Sequence, residues 1–301
     1  MIEKKMQRLA AALLMLALSA LAMPARAMSP DERKAVFEEA DKAAVHGPKD
    51  IALAQQAVLH LPAGRIFVPQ PQAARVVLAM GNPGEFKTLQ GLVFPESDTD
   101  KGWFAVVEYH PSGYIKDDDA KNWNADEMLQ SFREGTEAQN AERKKVGVTE
   151  MEIVGWAEKP AYEAATHRLV WAIGLRDKGA PAEADQGVNY NTYALGREGY
   201  LSLNLVTDLK DLGSHKGEAQ TLLGALELDA GKRYGDFNAS TDHVAEYGVA
   251  ALVLGVGAKK LGLLAVVFAF VAKFAKVIFL ALAGFGAVFA RLFKRKNANI
   301  G

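Results

Sequence analysis

The sequence predicts an α+β fold, a largely antiparallel sheet with packed helices, followed by a C-terminal transmembrane helix. Three observations predict it: helix-capping sequences alternate with short apolar runs, the apolar period changes to two between 148 and 206, and a long apolar segment lies near the C-terminus. Consecutive short strands usually pair as an antiparallel meander, and helices cover the apolar face of such a sheet. We therefore expect one folded domain with a hydrophobic segment on each side of it.

Two capped helices are predicted outside the region of alternating residues. The segment 29–32, Ser-Pro-Asp-Glu, combines an N-cap, a proline at the first helical position and an acid three residues after the cap, which predicts a helix to about Ala44. Asn124 and Glu127 form a second capping box, and the helix that follows is predicted to end at Gly147. Further helices are predicted at Pro71–Met80 and around Ala219–Leu226.

The strands are predicted from apolar and β-branched runs. Both faces of Leu169–Ile173 are apolar, which predicts a central strand covered on both sides. Only alternate residues of Leu201–Leu205 are apolar, which predicts a strand with one exposed face. A glycine-bounded hairpin loop is predicted at 196–199. The predicted strands are 57–61, 65–68, 89–94, 103–109, 150–156, 168–175, 188–195 and 200–206.

Charge divides the chain into an acidic middle and a basic end. Residues 28–243 contain 23 Lys and Arg against 34 Asp and Glu, a net charge of −11. Residues 244–301 contain eight basic side chains against the single acid Glu246, a net charge of +7. This asymmetry predicts an acidic domain on one side of a membrane and a basic anchor at the other. It disfavours nucleic-acid binding, because a domain of charge −11 repels phosphate.

The N-terminus predicts export. Three basic residues precede an apolar run from Leu9 to Met23, and the small residues of 25–27 suit a signal peptidase, so residues 1–27 are interpreted as a signal peptide. The run is short for an ordinary membrane span, although an uncleaved anchor is the alternative. No cysteine occurs in the chain, so the exported domain, residues 28–243, is expected to be stabilised by its core rather than by disulfides.

The C-terminal region, residues 244–301, is interpreted as a membrane-associated helix, a transmembrane anchor and a basic cytoplasmic tail. The uncharged stretch Val277–Ala290 covers about 21 Å, less than the hydrocarbon thickness of about 30 Å, so spanning requires the flanking lysines to snorkel. One crossing places Lys294–Lys296 in the cytoplasm, in agreement with the positive-inside rule. Val244–Ala272 is then expected on the outer leaflet. A two-span hairpin is the alternative.

Three adjacent carboxylates, Asp117, Asp118 and Asp119, lie between a predicted strand and a capped helix. Carboxylate oxygens suit a hard cation such as Mg²⁺ or Ca²⁺. The spacing does not match a calcium-binding loop, because Lys121 stands where a further ligand is needed. A solvated acidic turn that leads into a helix is the other interpretation.

A polar cluster is predicted on the sheet at Asn189 and Tyr190, with Arg197 and Glu198 in the adjoining hairpin. These residues are the candidates for binding a ligand or a partner, since Arg197 is suited to clamp an acidic group. The alternative is that Arg197 pairs with Glu198 or with a neighbouring carboxylate. His167, directly before a strand, is expected to form a hydrogen bond at the strand end rather than to bind a metal. No sequence pattern indicates a cofactor.

Six segments resemble the bacterial membrane-anchored proteins grouped as domain of unknown function 2167. The resemblance extends over most of residues 48–262 and implies an exported domain with a C-terminal membrane anchor. No activity is established for this family, so the resemblance implies none. The matching segments are 113–120 with Trp123, 154–156, 167–171, 188–192, 195–199 and 233–238.

Two functional hypotheses follow. The first is a membrane-anchored envelope protein in the inner membrane, whose periplasmic, non-enzymatic domain binds another envelope or membrane protein. It is based on the anchor and on the lack of a catalytic motif. The second is a metal-dependent hydrolase or divalent-metal-binding protein that uses the cluster Asp117–Asp119. The first hypothesis is favoured, because each residue of the second has a structural explanation.

Overall fold

The computed structural model describes residues 28–80, 86–97, 102–121, 123–145 and 149–254. The predicted signal peptide and the predicted transmembrane helix lie outside these residues. Within the described part of the chain, every helix is too short or too polar to cross a bilayer. The fold below is therefore that of the domain predicted at 28–243 and of the first residues that follow it.

The described domain contains helices and strands in mixed order. The helices are α1 (Pro30–Ala43), α2 (Gln72–Ala79), α3 (Ala125–Lys145), α4 (Leu212–Gly224) and α5 (Val249–Val253). The strands are β1 (Val45–His46), β2 (Lys49–Leu53), β3 (Ala57–Leu61), β4 (Arg65–Pro69), β5 (Leu89–Pro95), β6 (Trp103–His110), β7 (Met151–Glu163), β8 (Arg168–Asp177), β9 (Gly187–Leu195), β10 (Tyr200–Asp208) and β11 (Leu226–Leu228).

The strands form two antiparallel sheets within the described residues. The larger has eight strands in the order β1-β4-β5-β6-β10-β9-β8-β7, and the smaller has the order β11-β3-β2. Each pair of neighbouring strands is antiparallel, which confirms the predicted α+β class with a largely antiparallel sheet. Strand β7 extends to Glu163, past the predicted end at 156. The prediction ended early because bulges between Ile153 and Ala161 interrupt the period of two in the strand.

One face of the large sheet has a single core and the other face has several. On the first face, α4 and the small sheet pack against side chains such as Leu203 and Leu205 of β10. On the second face, α1 and α2 cover β4, β5 and β6, whereas α3 and α5 cover β7 and β8. Between these two apolar clusters lies a polar band on β9 and β10: Asn189, Asn191, Ser202 and Asn204.

The prediction of an exposed face for β10 was wrong. Ser202 is fully buried and Asn204 is 1% exposed, although both alternate with the leucines of the strand. The strand lies between β6 and β9 in the middle of the sheet, and the elements packed on the sheet leave neither of its faces exposed to solvent. Alternation therefore identified two chemically different faces, and it did not show that one of them is exposed to solvent.

Residues 244–254, which we assigned from the sequence to the membrane-associated segment, pack on the domain. Val249 is fully buried, and Leu252 and Val253 are buried beside Leu169 and Trp171 of β8. The packed domain therefore extends beyond 243 to residue 254. The remainder of the predicted outer-leaflet helix, from 255 to 272, lies outside the described residues.

An asparagine of α3 pairs with the edge strand β7. The side chain of Asn140, 1% exposed, donates a hydrogen bond from Nδ2 to the carbonyl of Met151 at 2.8 Å and accepts one at Oδ1 from the amide of Met151 at 2.9 Å. The amide side chain thus satisfies both backbone groups of an edge residue, as a neighbouring strand would.

Replacing Asn140 is expected to destabilise the domain. In Asn140→Ala the amide and the carbonyl of Met151 lose buried partners, which costs about 1–3 kcal/mol in the free energy of unfolding. Urea denaturation followed by tryptophan fluorescence measures the change. The control is Gln130→Ala on the exposed side of the same helix, which should change stability by less than about 0.5 kcal/mol. Equal effects of the two substitutions would contradict the assignment.

Candidate functional site at the motif end of the sheet

Several of the resemblance segments meet at one end of the large sheet. Tyr200, the first residue of β10, lies opposite His110 of β6 and opposite Leu195 of β9. The segment that follows β6 and the turn between β9 and β10 therefore lie at the same end of the sheet. The segment that begins at Gly113 joins them through a hydrogen bond from the Gly113 amide to the Glu198 carbonyl. We call this region the motif end and define it as residues 112–121, 162–168, 195–200 and 232–247.

Two of the six segments that resemble the family lie away from the motif end. The segment 154–156 lies in β7, and the segment 188–192 lies in β9, toward the opposite end of the strands. The other four lie at the motif end or begin there: 113–120, 167–171, 195–199 and 233–238.

Four aromatic rings stack in a row at the motif end. The centroid of Phe237 lies 3.9 Å from that of Tyr114, Tyr114 lies 4.4 Å from Tyr234, and Tyr234 lies 3.9 Å from the ring of His167. The hydroxyl of Tyr234 also donates to the carbonyl of Ile115 at 2.8 Å. Aromatic pairs of this kind stabilise a fold by about 0.5–1.5 kcal/mol each. The row therefore holds three chain segments together that are distant in sequence.

A hydrogen-bonded triad lies beside the ring row. The hydroxyl of Tyr162 donates to Oδ2 of Asp117 at 2.8 Å and lies 3.0 Å from Nδ1 of His167. Because a phenol has one proton, and here donates it to Asp117, the nitrogen of His167 must donate to the phenol oxygen. Burial raises the pKa of Tyr162 strongly, and the carboxylate of Asp117 raises it further. Tyr162 is therefore a neutral hydrogen-bond bridge and not an anionic nucleophile.

The backbone of His167 adopts an unusual conformation. Its φ is 53°, in the left-handed region that favours glycine, and its carbonyl accepts a hydrogen bond from the amide of Leu195 at 3.0 Å. Its side chain and that of Asp117 remain 29% and 28% exposed. The surrounding contacts thus impose a strained backbone on a residue whose imidazole stays accessible. The expected hydrogen bond of His167 at the strand end is present.

The three aspartates of the predicted cation site point to different partners. Asp117 bonds Tyr162, Asp118 is exposed at the start of a short 3-10 helix (Asp118–Lys121), and Oδ2 of Asp119 accepts from the amide of Ala250 at 3.2 Å. No group of three or more His, Asp or Glu side chains converges on a point suitable for a metal among the described residues. The three carboxylates diverge although they are adjacent in the sequence, because successive side chains of a turn point in different directions.

Arg197 and Glu198 are engaged within the protein. Arg197 binds Asp242 with two hydrogen bonds, at 2.7 Å from Nε and 2.8 Å from Nη2, and Asp242 also accepts from the amide of Asn238 at 2.7 Å. Glu198 accepts from Lys232 at 2.7 Å and from Gln56 at 2.9 Å. The observed pair is thus the neighbouring-carboxylate alternative, and it fixes the loop 232–242 to the hairpin.

These ion pairs shift the pKa of the acidic partners. Arg197, followed by the amide of Asn238, holds the pKa of Asp242 far below its ordinary value. The pKa of Glu198 is lowered chiefly by Lys232 and then by Gln56. Both carboxylates are therefore charged at neutral pH and stabilise the motif end in that form.

The remaining predicted candidates lie away from the motif end. Asn189 belongs to the polar band, six residues before the end of β9, which is about 20 Å along the strand. Tyr190 faces the opposite side of the sheet and directs its hydroxyl to Glu158 at 3.4 Å. The structure therefore does not bring Asn189 and Tyr190 together with Arg197 and Glu198.

Tyr162 and Asp242 were not identified from the sequence. Their partners are 45 residues away in each case, Asp117 for Tyr162 and Arg197 for Asp242. No local spacing marks such a pair, because the contact forms only when the strands align. The positive φ of His167 is likewise visible only in the folded chain.

The acid stability of the domain should depend on Asp242. Its carboxylate has a lowered pKa in the folded state, so its contribution to stability is complete above its unfolded pKa of about 3.9 and is lost as the pH falls through the folded value. The melting temperature of the unmodified chain should exceed that of Asp242→Asn at pH 7, and the gap should narrow below about pH 4. The matched Glu183→Gln, at an exposed loop position, should have the same melting temperature as the unmodified chain both at pH 7 and below about pH 4. A constant gap down to the lowest pH would contradict the ion-pair assignment.

Removing the hydroxyl of Tyr162 tests the triad. Tyr162→Phe deprives partly buried Asp117 of a donor and His167 of an acceptor, which should cost about 1–3 kcal/mol in the free energy of unfolding. The control is Tyr109→Phe, whose hydroxyl makes a longer bond of 3.3 Å to the carbonyl of Glu198 and should matter less. Chemical denaturation measures both. A smaller loss for Tyr162→Phe than for the control would refute the role of the triad.

Comparison with known proteins identifies the family. Residues 45–283 match the model of the family described as protein of unknown function (DUF2167). No match to a curated protein was found. Among solved structures, the solution structure of a cyanobacterial PsbP protein from Synechocystis is similar over 60% of this chain and 92% of its own, at 12% identity and a TM-score of 0.36. Since the family match covers most of the chain, the protein belongs to the DUF2167 family of proteins of unknown function.

Proposed function

We propose that the protein is a membrane-anchored envelope protein whose exported domain binds another envelope or membrane protein through its motif end. The anchoring rests on the sequence: a signal-peptide-like start, an apolar segment from Leu261 to Phe293, and the basic cluster Lys294–Lys296. These features support an inner-membrane location with the acidic domain on the periplasmic side.

The observation that carries the binding role is the construction of the motif end. Segments from four regions of the chain are held in one place by the ring row and by the ion pair of Arg197 with Asp242. Around this frame, acidic and basic side chains such as Lys116, Asp118 and Arg233 are exposed. A rigid surface with interspersed charges is suited to recognise a protein by electrostatic complementarity, because little ordering is required on binding.

Binding is favoured over catalysis by the chemistry of the same residues. The raised pKa of Tyr162 disfavours a phenolate nucleophile at neutral pH, and the carboxylates of Asp117–Asp119 diverge. No observation favours the metal-dependent hydrolase, whose proposed ligands do not converge in the described residues. The motif end is therefore proposed as a recognition surface.

Site-specific crosslinking in intact cells tests the proposal. A photoreactive side chain at Ala239, in the exposed loop of the motif end, should form a discrete protein adduct, and one at Ala182, at the opposite end of the sheet, should not. Charge reversal by Asp118→Lys should lower the yield of the adduct about tenfold, equivalent to about 1.4 kcal/mol of binding. The matched Glu183→Lys should leave the yield unchanged. The same products from both positions, or no adduct from Ala239, would overturn the proposed recognition surface.

A further inference from the structure

The ring of His167 is held in one orientation at the motif end. It stacks on the ring of Tyr234, with 3.9 Å between the centroids, and its Nδ1 lies 3.0 Å from the hydroxyl of Tyr162. The main chain of His167 is fixed as well, because its carbonyl accepts a hydrogen bond from the amide of Leu195 at 3.0 Å. The ring cannot rotate without breaking the stack or the hydrogen bond, so its two nitrogens keep fixed directions.

The hydrogen bonds of the triad determine which ring nitrogen carries the proton. The phenol of Tyr162 donates its single proton to Oδ2 of Asp117 at 2.8 Å, so Nδ1 of His167 carries the hydrogen that is donated to the phenol oxygen. In the neutral ring, Nε2 then has a lone pair and no hydrogen. No described residue bonds Nε2, and the side chain of His167 is 29% exposed. Nε2 is therefore an acceptor that the described part of the chain does not use.

The backbone of His167 gives a second, independent reason to assign a role to this ring. Its φ of 53° lies in a region that a residue with a Cβ atom adopts at a cost in free energy. Glycine would avoid this cost and would still offer the carbonyl that Leu195 binds. Strained residues of this kind cluster at binding sites, where surrounding contacts hold them in place. The conformation therefore indicates that the imidazole itself is used.

We propose that Nε2 of His167 is a recognition atom of the motif end and accepts a hydrogen bond from an N–H or O–H group of the bound protein. This inference rests on the proposed function, because it names one contact of the same surface. Asp117 and Tyr162 are positioning residues, since they act on the partner only through Nδ1 of the ring. An acceptor of the partner facing Nε2 would be rejected, because two lone pairs would then be opposed.

The charge around the ring favours a basic donor over a neutral one. Oδ2 of Asp117 lies 3.6 Å from Nδ1 of His167, and the side chain of Asp117 is 28% exposed. The predicted domain as a whole is acidic. A lysine or arginine of the partner would thus be attracted to the carboxylate while it donates to Nε2.

His167→Asn separates recognition from folding. Asparagine retains an N–H donor near the position of Nδ1, adopts a positive φ readily and has no atom at the position of Nε2. With the photoreactive side chain at Ala239 in intact cells, the yield of the protein adduct should fall about tenfold, as expected for the loss of one hydrogen bond to a charged group. The matched His46→Asn, at an exposed position of β1, should leave the yield unchanged.

His167→Gln provides a rescue. Glutamine places an amide oxygen near the position of Nε2, so the adduct yield should exceed that of His167→Asn several-fold. Glutamine is also less suited than asparagine to a positive φ, so the melting temperature should be lower for His167→Gln. Binding and stability are thus expected to change in opposite order. A purely structural role of His167 predicts the same order for both, and that result would overturn the inference.

The position of the ring proton is measured without the partner. Full-length protein labelled with ¹⁵N only at histidine is purified and studied by NMR at about pH 8, where an ordinary histidine is neutral. The signals of His167 are those missing from the spectrum of His167→Asn. Nδ1 should carry the hydrogen in the unmodified chain, and in Tyr162→Phe the hydrogen should be shared between both nitrogens. A hydrogen on Nε2 in the unmodified chain would overturn the inference.

The crosslinking outcomes distinguish this inference from the proposed function. A normal adduct yield from His167→Asn would overturn the role of Nε2 and leave the recognition surface intact. The absence of an adduct from Ala239 in the unmodified chain would overturn the recognition surface and this inference with it.

Discussion

The antiparallel register of the five neighbouring strands β6, β10, β9, β8 and β7 is the constraint on which the rest of the structure depends. Because Tyr200 lies opposite both His110 and Leu195, and Glu163 lies opposite Arg168, the turns between these strands emerge at a common end. The turns of the motif end follow from this register, and the ring row and the ion pair of Arg197 with Asp242 add residues 232–247 to them. A slip of one residue in β10 would exchange the leucines that pack under α4 for the polar band. Fold and candidate site are therefore specified by the same backbone hydrogen bonds.

The polar band explains why the second face of the sheet has separate cores. Ser202 and Asn204 are buried, and the amide atoms of Asn204 and the hydroxyl of Ser202 make no hydrogen bond among the described residues. Buried polar groups are costly when they lack partners. They also interrupt the apolar surface, so that α1 and α2 pack on one side of the band while α3 and α5 pack on the other. Residues 244–254 thus pack on the half of the sheet that carries Trp171 and Tyr193, and not on the half under α2.

The motif end combines an internal frame with an accessible surface. The frame consists of paired groups: Arg197 with Asp242, Glu198 with Lys232, and the ring row that ends at His167. Two of the ligand-binding candidates of the sequence, Arg197 and Glu198, therefore belong to the frame, while exposed neighbours such as Asp118 form the surface. Charged side chains in sequence motifs are ambiguous in this way, because an ion pair inside a protein and an ion pair with a partner require the same residue types.

By itself, the sequence determined the α+β class, the positions of the longer strands and the capped starts of α1 and α3, because capping and alternation are local signals. It also determined the asymmetry of charge and the apolar termini. Only the tertiary structure decided that β10 is buried on both faces, that Asp117, Asp118 and Asp119 diverge, and that residues 244–254 belong to the domain. These outcomes depend on contacts between segments that the register brings together. The composition of 244–254 is equally suited to lipid and to a protein core, and the choice between them was made by the apolar surface of β8 and by the backbone of residues 114–116.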